Sequence, residues 1–160
     1  MKREFLKVFT MLALLVTFSL ATAVVANAQS TANKIVANVP FEFSVGYKTL
    51  PAGEYAVRSI ASASNGVLIQ SSDGKTSALR LSEATRRLKD RPKAHLVFHR
   101  YGERYFLAEV WNGLDNSGRQ LLRSQEESAI ESELRIASSR ENAHAPNAMY
   151  EIVEVAAILR

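Results

Sequence analysis

Apolar and polar residues alternate in short runs between positions 34 and 123. In VANVPFEFSVG every second residue from Val39 to Val45 is apolar. The side chains of Val39, Phe41, Phe43 and Val45 are therefore expected on one face of a half-buried strand. Pro40 lacks a backbone donor, so we expect it at a sheet edge or a bulge. Tyr55 and Val57 begin the next strand after a turn through Pro51 and Gly53. The pattern predicts short antiparallel strands.

Turn-forming residues divide these strands at short intervals. Asn65-Gly66 favours a type I′ turn, and the segment SDGK at 72–75 favours a second tight turn. The return strand TSALRLSE is expected to turn either Ala78 or Leu79 inward, together with Leu81.

The segment LVFHRYGERYFLAEVW predicts a hairpin with Gly102-Glu103 at the centre of a type II′ turn. This register places Arg100 opposite Tyr105 and His99 opposite Phe106, with a cation–π contact between Arg100 and Tyr105. One face then carries Val97, His99, Phe106, Ala108 and Val110. The other face carries Leu96, Phe98, Arg100, Tyr105, Leu107, Glu109 and Trp111. Both faces are rich in large side chains, so we expect both to be covered.

SQEESAIESELRIASSR is typical of a helix, here over about 125–139. Ser124 and Glu127 have the spacing of a capping box. Helical spacing predicts a buried stripe of Ile130, Leu134 and Ala137. Glu131 and Arg135 are placed for an ion pair one turn apart.

The last segment, MYEIVEVAAILR, follows a linker and is rich in β-branched residues. We interpret 149–159 as a final strand, although its length also allows a helix. The chain is therefore expected to be mainly β, an antiparallel β-sandwich or small barrel with one C-terminal amphipathic helix. Pattern alone leaves sandwich and barrel open.

The first 28 residues have the features of a signal peptide. A short basic region precedes an apolar run over 8–25, and Ala26-Asn27-Ala28 is typical of a cleavage site before Gln29. An uncleaved membrane anchor is the alternative. We therefore expect an exported protein, periplasmic or extracellular, whose residues 29–160 form a single domain.

Composition gives further information about the compartment and the partners of the chain. The chain has no cysteine, which excludes a lipoprotein anchor and leaves the domain without disulfides. Cleavage removes three basic residues and Glu4, which lowers the formal net charge by two, from +4 to +2. A charge this close to zero, in an exported protein, argues against nucleic acid as a partner. The basic stretch ATRRLKDRPK is interpreted as a solvated loop, with a phosphate contact as the alternative.

No set of reactive residues converges in the sequence. His95 and His99 would lie roughly 13 Å apart on a strand, too far to share one metal ion. The carboxylate pairs Glu126-Glu127 and Glu131-Glu133 fall on the predicted helix surface. No G-x-S-x-G segment or glycine-rich phosphate loop occurs. We therefore expect no catalytic set, metal or cofactor.

Amphipathic aromatic residues make binding the better-supported function. Such side chains can stack on sugars or anchor a protein partner, although on a β scaffold they also pack a core. The candidate ligand-binding residues are Tyr55, His99, Arg100, Tyr105 and Trp111.

Three motifs carry a resemblance: V-P-F-x-F at 39–43, T-L-P-A-G-x-Y at 49–55 and F-H-R-Y-G at 98–102. Together with the signal peptide and the helix after the hairpins, they resemble a group of short exported proteins of soil bacteria that carry no assigned function. The likeness extends from about 36 to 135. It implies an exported β protein and supplies no catalytic residues.

We therefore expect an exported, non-catalytic envelope or extracellular module that binds a carbohydrate, a small apolar ligand or a protein. One alternative is a hydrolase acting on envelope or extracellular polymers. The other is a structural component that assembles through a sheet edge.

Overall fold

The computed structural model describes residues 34–60, 65–87, 93–141 and 150–160. These residues form ten strands and one helix. The strands are β1 (Lys34–Val39), β2 (Phe43–Val45), β3 (Lys48–Leu50), β4 (Gly53–Ile60), β5 (Gly66–Ser71), β6 (Ser77–Arg86), β7 (His95–Tyr101), β8 (Arg104–Trp111), β9 (Ser117–Leu121) and β10 (Glu151–Leu159). The helix α1 (Gln125–Glu141) lies between β9 and β10.

Eight of the strands close into an antiparallel barrel in the order β8-β7-β10-β1-β4-β5-β6-β9. Closure depends on β9, which pairs with β6 over Ser117–Leu121 and with β8 through Glu109, Val110 and Trp111. The mainly β fold with one helix near the C-terminus is confirmed, and of the two expected architectures the chain adopts the barrel.

Alternation of side chains fills the barrel with aliphatic and aromatic residues. Tyr55 and Val57 share one face of β4, as predicted, and this face is the inner one. Their ladder partners Ala37 and Ile35 on β1, and Ile69 on β5, also belong to the core. The most deeply buried side chains include Phe43, Leu50, Tyr55, Ile69, Leu96 and Phe98. Burial of this apolar surface is the main stabilising contribution, since the chain has no disulfide.

The predicted strand over 39–45 is two strands. β1 ends at Val39, and β2 begins at Phe43 as part of a short hairpin with β3 that pairs with β8 at Phe106. Pro40 lies at the break, where no ladder bond is required of it. The hairpin still buries the predicted side chains, because Phe43 contacts the rings of Tyr55 and Phe98.

The predicted β7–β8 register is confirmed from the turn to Phe98, which pairs with Leu107. Gly102 has φ +64, as the first position of a primed turn requires. A bulge then shifts the register, so that Val97 pairs with Glu109. The face assignment beyond it was therefore wrong: Val110 joins the barrel core, whereas Glu109 and Trp111 share the outer face with His95.

Two predictions about β5 and β6 were also wrong. Gly66 pairs with Ile60 inside the ladder and lacks positive φ, so Asn65-Gly66 is not the centre of a two-residue turn. On β6 the buried residues are Ala78 and Ser82, whereas Leu81, like Leu79, is exposed. The predicted turn after β5 is confirmed, with the Gly74 nitrogen donating to the Ser71 carbonyl at 2.9 Å.

The N-terminus of α1 is capped as predicted. The Glu127 nitrogen donates to Ser124 Oγ at 3.0 Å. The predicted buried stripe was wrong, however, because Leu134 and Ala137 are exposed and Ile130 alone of the three is half-buried. As far as position 138, where side-chain burial is described, the buried residues of α1 and its cap lie in its first turns. The final segment is a strand, as predicted, paired with β7 and β1.

Several predictions fall outside the described residues: the signal peptide at 1–28, the middle of the basic loop at 88–92, and the linker before β10. In the part of the chain that is described, no helix combines the length and apolar character needed to span a membrane.

Gly113 makes the closest approach of backbone to backbone in the loop after β8. Its φ is +73, and a Cβ there would lie 2.3 Å from the Ala94 nitrogen. Gly74 has almost the same φ, +71, with open space where a Cβ would stand. We therefore expect Gly74→Ala to lower the free energy of unfolding by about 1 kcal/mol and Gly113→Ala by about 3 kcal/mol or more. Urea denaturation of both variants checks this, and equal losses would contradict it.

Candidate functional site

Two buried polar clusters lie on the outer face of the β7–β8 hairpin. We name them the His99 cluster (His99, Tyr101, Arg123, Glu127 and Tyr150) and the Trp111 cluster (Arg87, His95, Glu109 and Trp111). Both exist because the outward positions of β7 carry His95, His99 and Tyr101 while this face is covered by other parts of the chain.

A buried histidine–carboxylate pair forms the centre of the His99 cluster. His99 is 7% exposed and Glu127 is 4% exposed, and His99 Nδ1 donates to Glu127 Oε1 at 2.8 Å. Tyr101 Oη donates to the same oxygen at 3.5 Å. The ring of Tyr150 covers the imidazole, with the ring centroids 4.0 Å apart. The helix cap at Ser124 sets the position of Glu127, so the pair ties α1 to β7.

The environment of the His99 cluster raises the pKa of Tyr101 well above its usual value. Burial is the largest cause, and the negative charge of Glu127 adds to it, with a smaller opposing effect of Arg123. Arg123 lies 5.6 Å from the Tyr150 ring centroid and forms an ion pair with Glu131. Tyr101 is therefore a neutral hydrogen-bond donor at physiological pH.

The Trp111 cluster fixes the tautomer of its histidine. His95 Nδ1 lies 2.7 Å from the Lys93 carbonyl, which can only accept, and Nε2 lies 3.0 Å from Arg87 Nη1, which can only donate. In this arrangement Nδ1 donates to the Lys93 carbonyl and Nε2 accepts from Arg87. Arg87 also stacks over Trp111 at 4.2 Å, and Glu109 Oε2 accepts from both Arg87 and Trp111 Nε1.

Neither cluster leaves a buried polar side-chain atom without a hydrogen-bond partner. Among the residues that the structure describes, no buried side-chain nitrogen or oxygen lacks a partner. Within the same residues no three His, Cys, Asp or Glu side chains come together as a metal site would require. A His–Glu pair could support general-base chemistry, but here Tyr150 covers the imidazole and Glu127 is occupied by two donors. The geometry serves to fasten α1.

The structure does not bring the five candidate ligand-binding residues together. Tyr55 lies inside the barrel, 1% exposed, and donates to the Pro51 carbonyl at 2.7 Å. His99 and Trp111 lie in the two separate clusters. Arg100 and Tyr105 do meet, at 5.6 Å, as predicted, beside an ion pair of Arg100 with Glu151. Tyr105 also stacks on Phe41 with centroids 3.9 Å apart.

Large aliphatic side chains lie on the outer face of β4, β5 and β6, where Ile60, Leu79 and Leu81 are exposed and Leu68 is half-buried. We define the apolar outer face as Ile60, Leu68, Leu79 and Leu81. The ladder pairs Leu68 with Leu79, and Gly66 bridges Ile60 and Leu81, so the four side chains occupy two adjacent rows. Leu79 is 62% exposed and Leu81 is 55% exposed. Arg58 borders the face and donates to Gln70 Oε1 at 3.0 Å.

Sequence reasoning missed the apolar outer face because it assigned Leu81 to the interior. It also missed Glu127 and Arg87 as partners of the two histidines. The capping-box signal located Glu127 at the helix start, but nothing in a single sequence relates it to a residue 28 positions away.

Comparison with known proteins gives no match to this chain among family models, curated protein sequences or solved structures.

Glu126 provides a matched control for the role of Glu127 in holding α1 against the barrel. Glu127→Ala leaves the buried His99 and Tyr101 donors without an acceptor, so we expect the free energy of unfolding to fall by about 2 kcal/mol. Glu126 forms an exposed ion pair with Arg104, and Glu126→Ala should cost less than about 1 kcal/mol. Urea denaturation measures both. Equal losses would show that the His99 cluster does not hold α1.

Tyr101 should make stability fall at high pH. Its raised pKa means that above about pH 10 the unfolded tyrosine loses its proton while the folded one retains it, so stability decreases as pH rises. The decrease is about 1.4 kcal/mol per pH unit for one such group. Unfolding measured from pH 9 to pH 11.5 should show a shallower decline in Tyr101→Phe than in wild type. Tyr47→Phe, at a residue 76% exposed, should follow wild type.

Proposed function

We propose that this chain is an exported, non-catalytic module that binds a protein partner through the apolar outer face. The exposure of Leu79 and Leu81 carries the proposal, because large aliphatic side chains grouped on the surface of a soluble domain mark interaction sites. The polar residues Arg58 and Gln70 beside the face fit the polar rim of a protein interface. Export is supported by the basic, apolar and small-residue order of positions 1–28.

A protein partner fits this face better than a carbohydrate. Sugar recognition relies on exposed aromatic rings, and the aromatic residues first considered for it are largely unavailable. Tyr55 and Trp111 are buried, and Tyr105 is stacked on Phe41. The apolar outer face contains aliphatic side chains alone, which provide no stacking platform.

Assembly through a sheet edge has less support than docking on the apolar outer face. Barrel closure pairs both sides of most strands. β3 stands at the end of the described strand order, has three residues and exposes Lys48. Short strands with lysine are a common way to discourage edge-to-edge pairing.

A hydrolase remains the second candidate, and the buried His99–Glu127 pair is the observation that favours it. A hydrolase would require a route by which the substrate reaches the His99 imidazole past Tyr150. Release of soluble fragments from isolated envelope polymers by the wild-type chain, lost in a folded His99→Gln variant, would favour the hydrolase over the binding module.

Site-specific photo-crosslinking in the producing cells tests the binding proposal. A photoreactive residue at position 81 should give a discrete protein adduct, and Leu79→Asp should abolish it. Burying one leucine contributes about 1.5–3 kcal/mol, so its loss weakens binding roughly tenfold or more. Leu114 provides the control, since it is 61% exposed in the loop after β8. A crosslinker at position 114 should give no such adduct, and Leu114→Asp should leave the adduct at 81 unchanged.

Both aspartate variants should retain the wild-type circular dichroism spectrum and melting temperature, because both leucines are exposed. An adduct that forms equally from 81 and 114, or one that survives Leu79→Asp, would rule out the apolar outer face as the docking site.

A further inference from the structure

Opposite charges lie at two opposite corners of the apolar outer face. Arg58 pairs in register with Leu68 on β5 and with Lys34 on β1, and the two basic residues form a positive corner. Glu83 follows Leu81 on β6 by two residues, so it points to the same side of the sheet, where it is exposed and forms a negative corner. Two strands and four residues separate Arg58 from Glu83, which places their Cα atoms ~17 Å apart.

Aliphatic side chains occupy the area between these corners. Gly66 lies midway between the corners, in the row that joins Ile60 to Leu81. Because Gly66 has no side chain, the centre of the face is formed by the residues beside it. Leu122 extends this row beyond Leu81: its nitrogen donates to the Leu81 carbonyl at 3.1 Å, and its side chain is 44% exposed.

A face with this arrangement is complementary to itself. In a two-fold dimer the same patch faces itself, so each group lies over the group at the mirrored position. The axis that suits this face passes over Gly66, parallel to the sheet and at right angles to the line between the corners. Arg58 of each copy then lies over Glu83 of the other, so the pair of opposite charges forms twice. The same rotation brings Leu79 of one copy beside Leu81 of the other.

We propose that the protein partner on the apolar outer face is a second copy of this chain. This inference rests on the proposed function, because it names the occupant of that docking site. The charge of the chain also favours a second copy. The formal net charge is +4, and it falls to +2 after the expected cleavage, so two copies repel each other only weakly.

The dimer is expected to be reversible. A standard protein interface buries about 800 Å² on each partner, so the contact must extend beyond the aliphatic side chains to the charged corners. Pairing of Arg58 with Glu83 therefore contributes to the orientation of the two copies as well as to their affinity. We expect exchange between monomer and dimer, with a dissociation constant in the micromolar range.

Sedimentation equilibrium of the protein purified from the producing cells tests for the dimer. The average mass of wild type should rise with protein concentration from that of one chain to that of two. Leu79→Asp should stay monomeric throughout, because it places a charge in the aliphatic part of the contact. Leu114→Asp, at an exposed leucine outside the face, should dimerise as wild type does.

Charge reversal tests the predicted geometry. Glu83→Arg sets like charges against each other at both corners, so it should weaken dimerisation about tenfold or more, as should Arg58→Glu. The double variant Arg58→Glu/Glu83→Arg restores opposite charges and should recover the dimer. Glu103→Arg is the matched control. It makes the same change of charge at a side chain that is 97% exposed at the tip of the β7–β8 hairpin, and it should dimerise as wild type does.

Crosslinking separates a failure of this inference from a failure of the proposed function. The adduct from position 81 should have twice the mass of the chain and join two copies through β6. An adduct with a different protein, from a chain that sediments as a monomer, would overturn the second copy as the occupant and leave the docking site in place. No adduct from position 81, with a chain that is always monomeric, would overturn both. A dimer that survives Leu79→Asp, or one that the double variant fails to recover, would also overturn the inference.

Discussion

Closure of the sheet is the constraint on which the rest of this structure depends. A domain of this size without disulfides gains its stability from buried apolar surface, and an open sheet would leave strand edges and the inner side chains in water. β9 completes the circle with only five residues, pairing with β6 on one side and β8 on the other. β6 pairs with two strands: its first half pairs with β5 and its second half pairs with β9.

The β7–β8 hairpin is covered on both faces, and the bulge between Val97 and Phe98 makes this possible. One extra residue on β8 allows Val110 to enter the core while Glu109 and Trp111 turn outward. Trp111 then lies against Gly118, where a Cβ would stand 2.7 Å from the indole ring. The polar residues on the outer face of this hairpin bond mainly to one another, and they hold α1 and the segment around Arg87.

Much of this fold could be predicted from local patterns. The turn at Gly102 fixed the register of four residue pairs, because a two-residue hairpin leaves little choice of partners. The helix start followed from Ser124 and Glu127. The bulge could not be predicted, since inserting one residue depends on what packs against both faces of the sheet.

The candidate surfaces were harder to predict from the sequence, for a different reason. On β6 the adjacent residues Ala78 and Leu79 are both apolar, so alternation allows either to face inward. The ladder with β5 decides it by placing Ala78 opposite Ile69, and the next inward position is filled by Arg80, which donates to the carbonyls of Leu122 and Arg123. The larger size of leucine had favoured Leu79 and Leu81 as the inward-facing residues.

The attachment of α1 has a consequence for how stability is distributed along it. Its first turn is capped by Ser124 and joined to the barrel through Glu126 and Glu127, whereas Leu134 and Ile136 lie in solvent. A short helix in water is marginally stable without packing, so its far turns can unwind at little free-energy cost while the first turn opens only with the barrel. The helix is therefore a graded element, rigid at one end and able to fray at the other without disturbing the ladders.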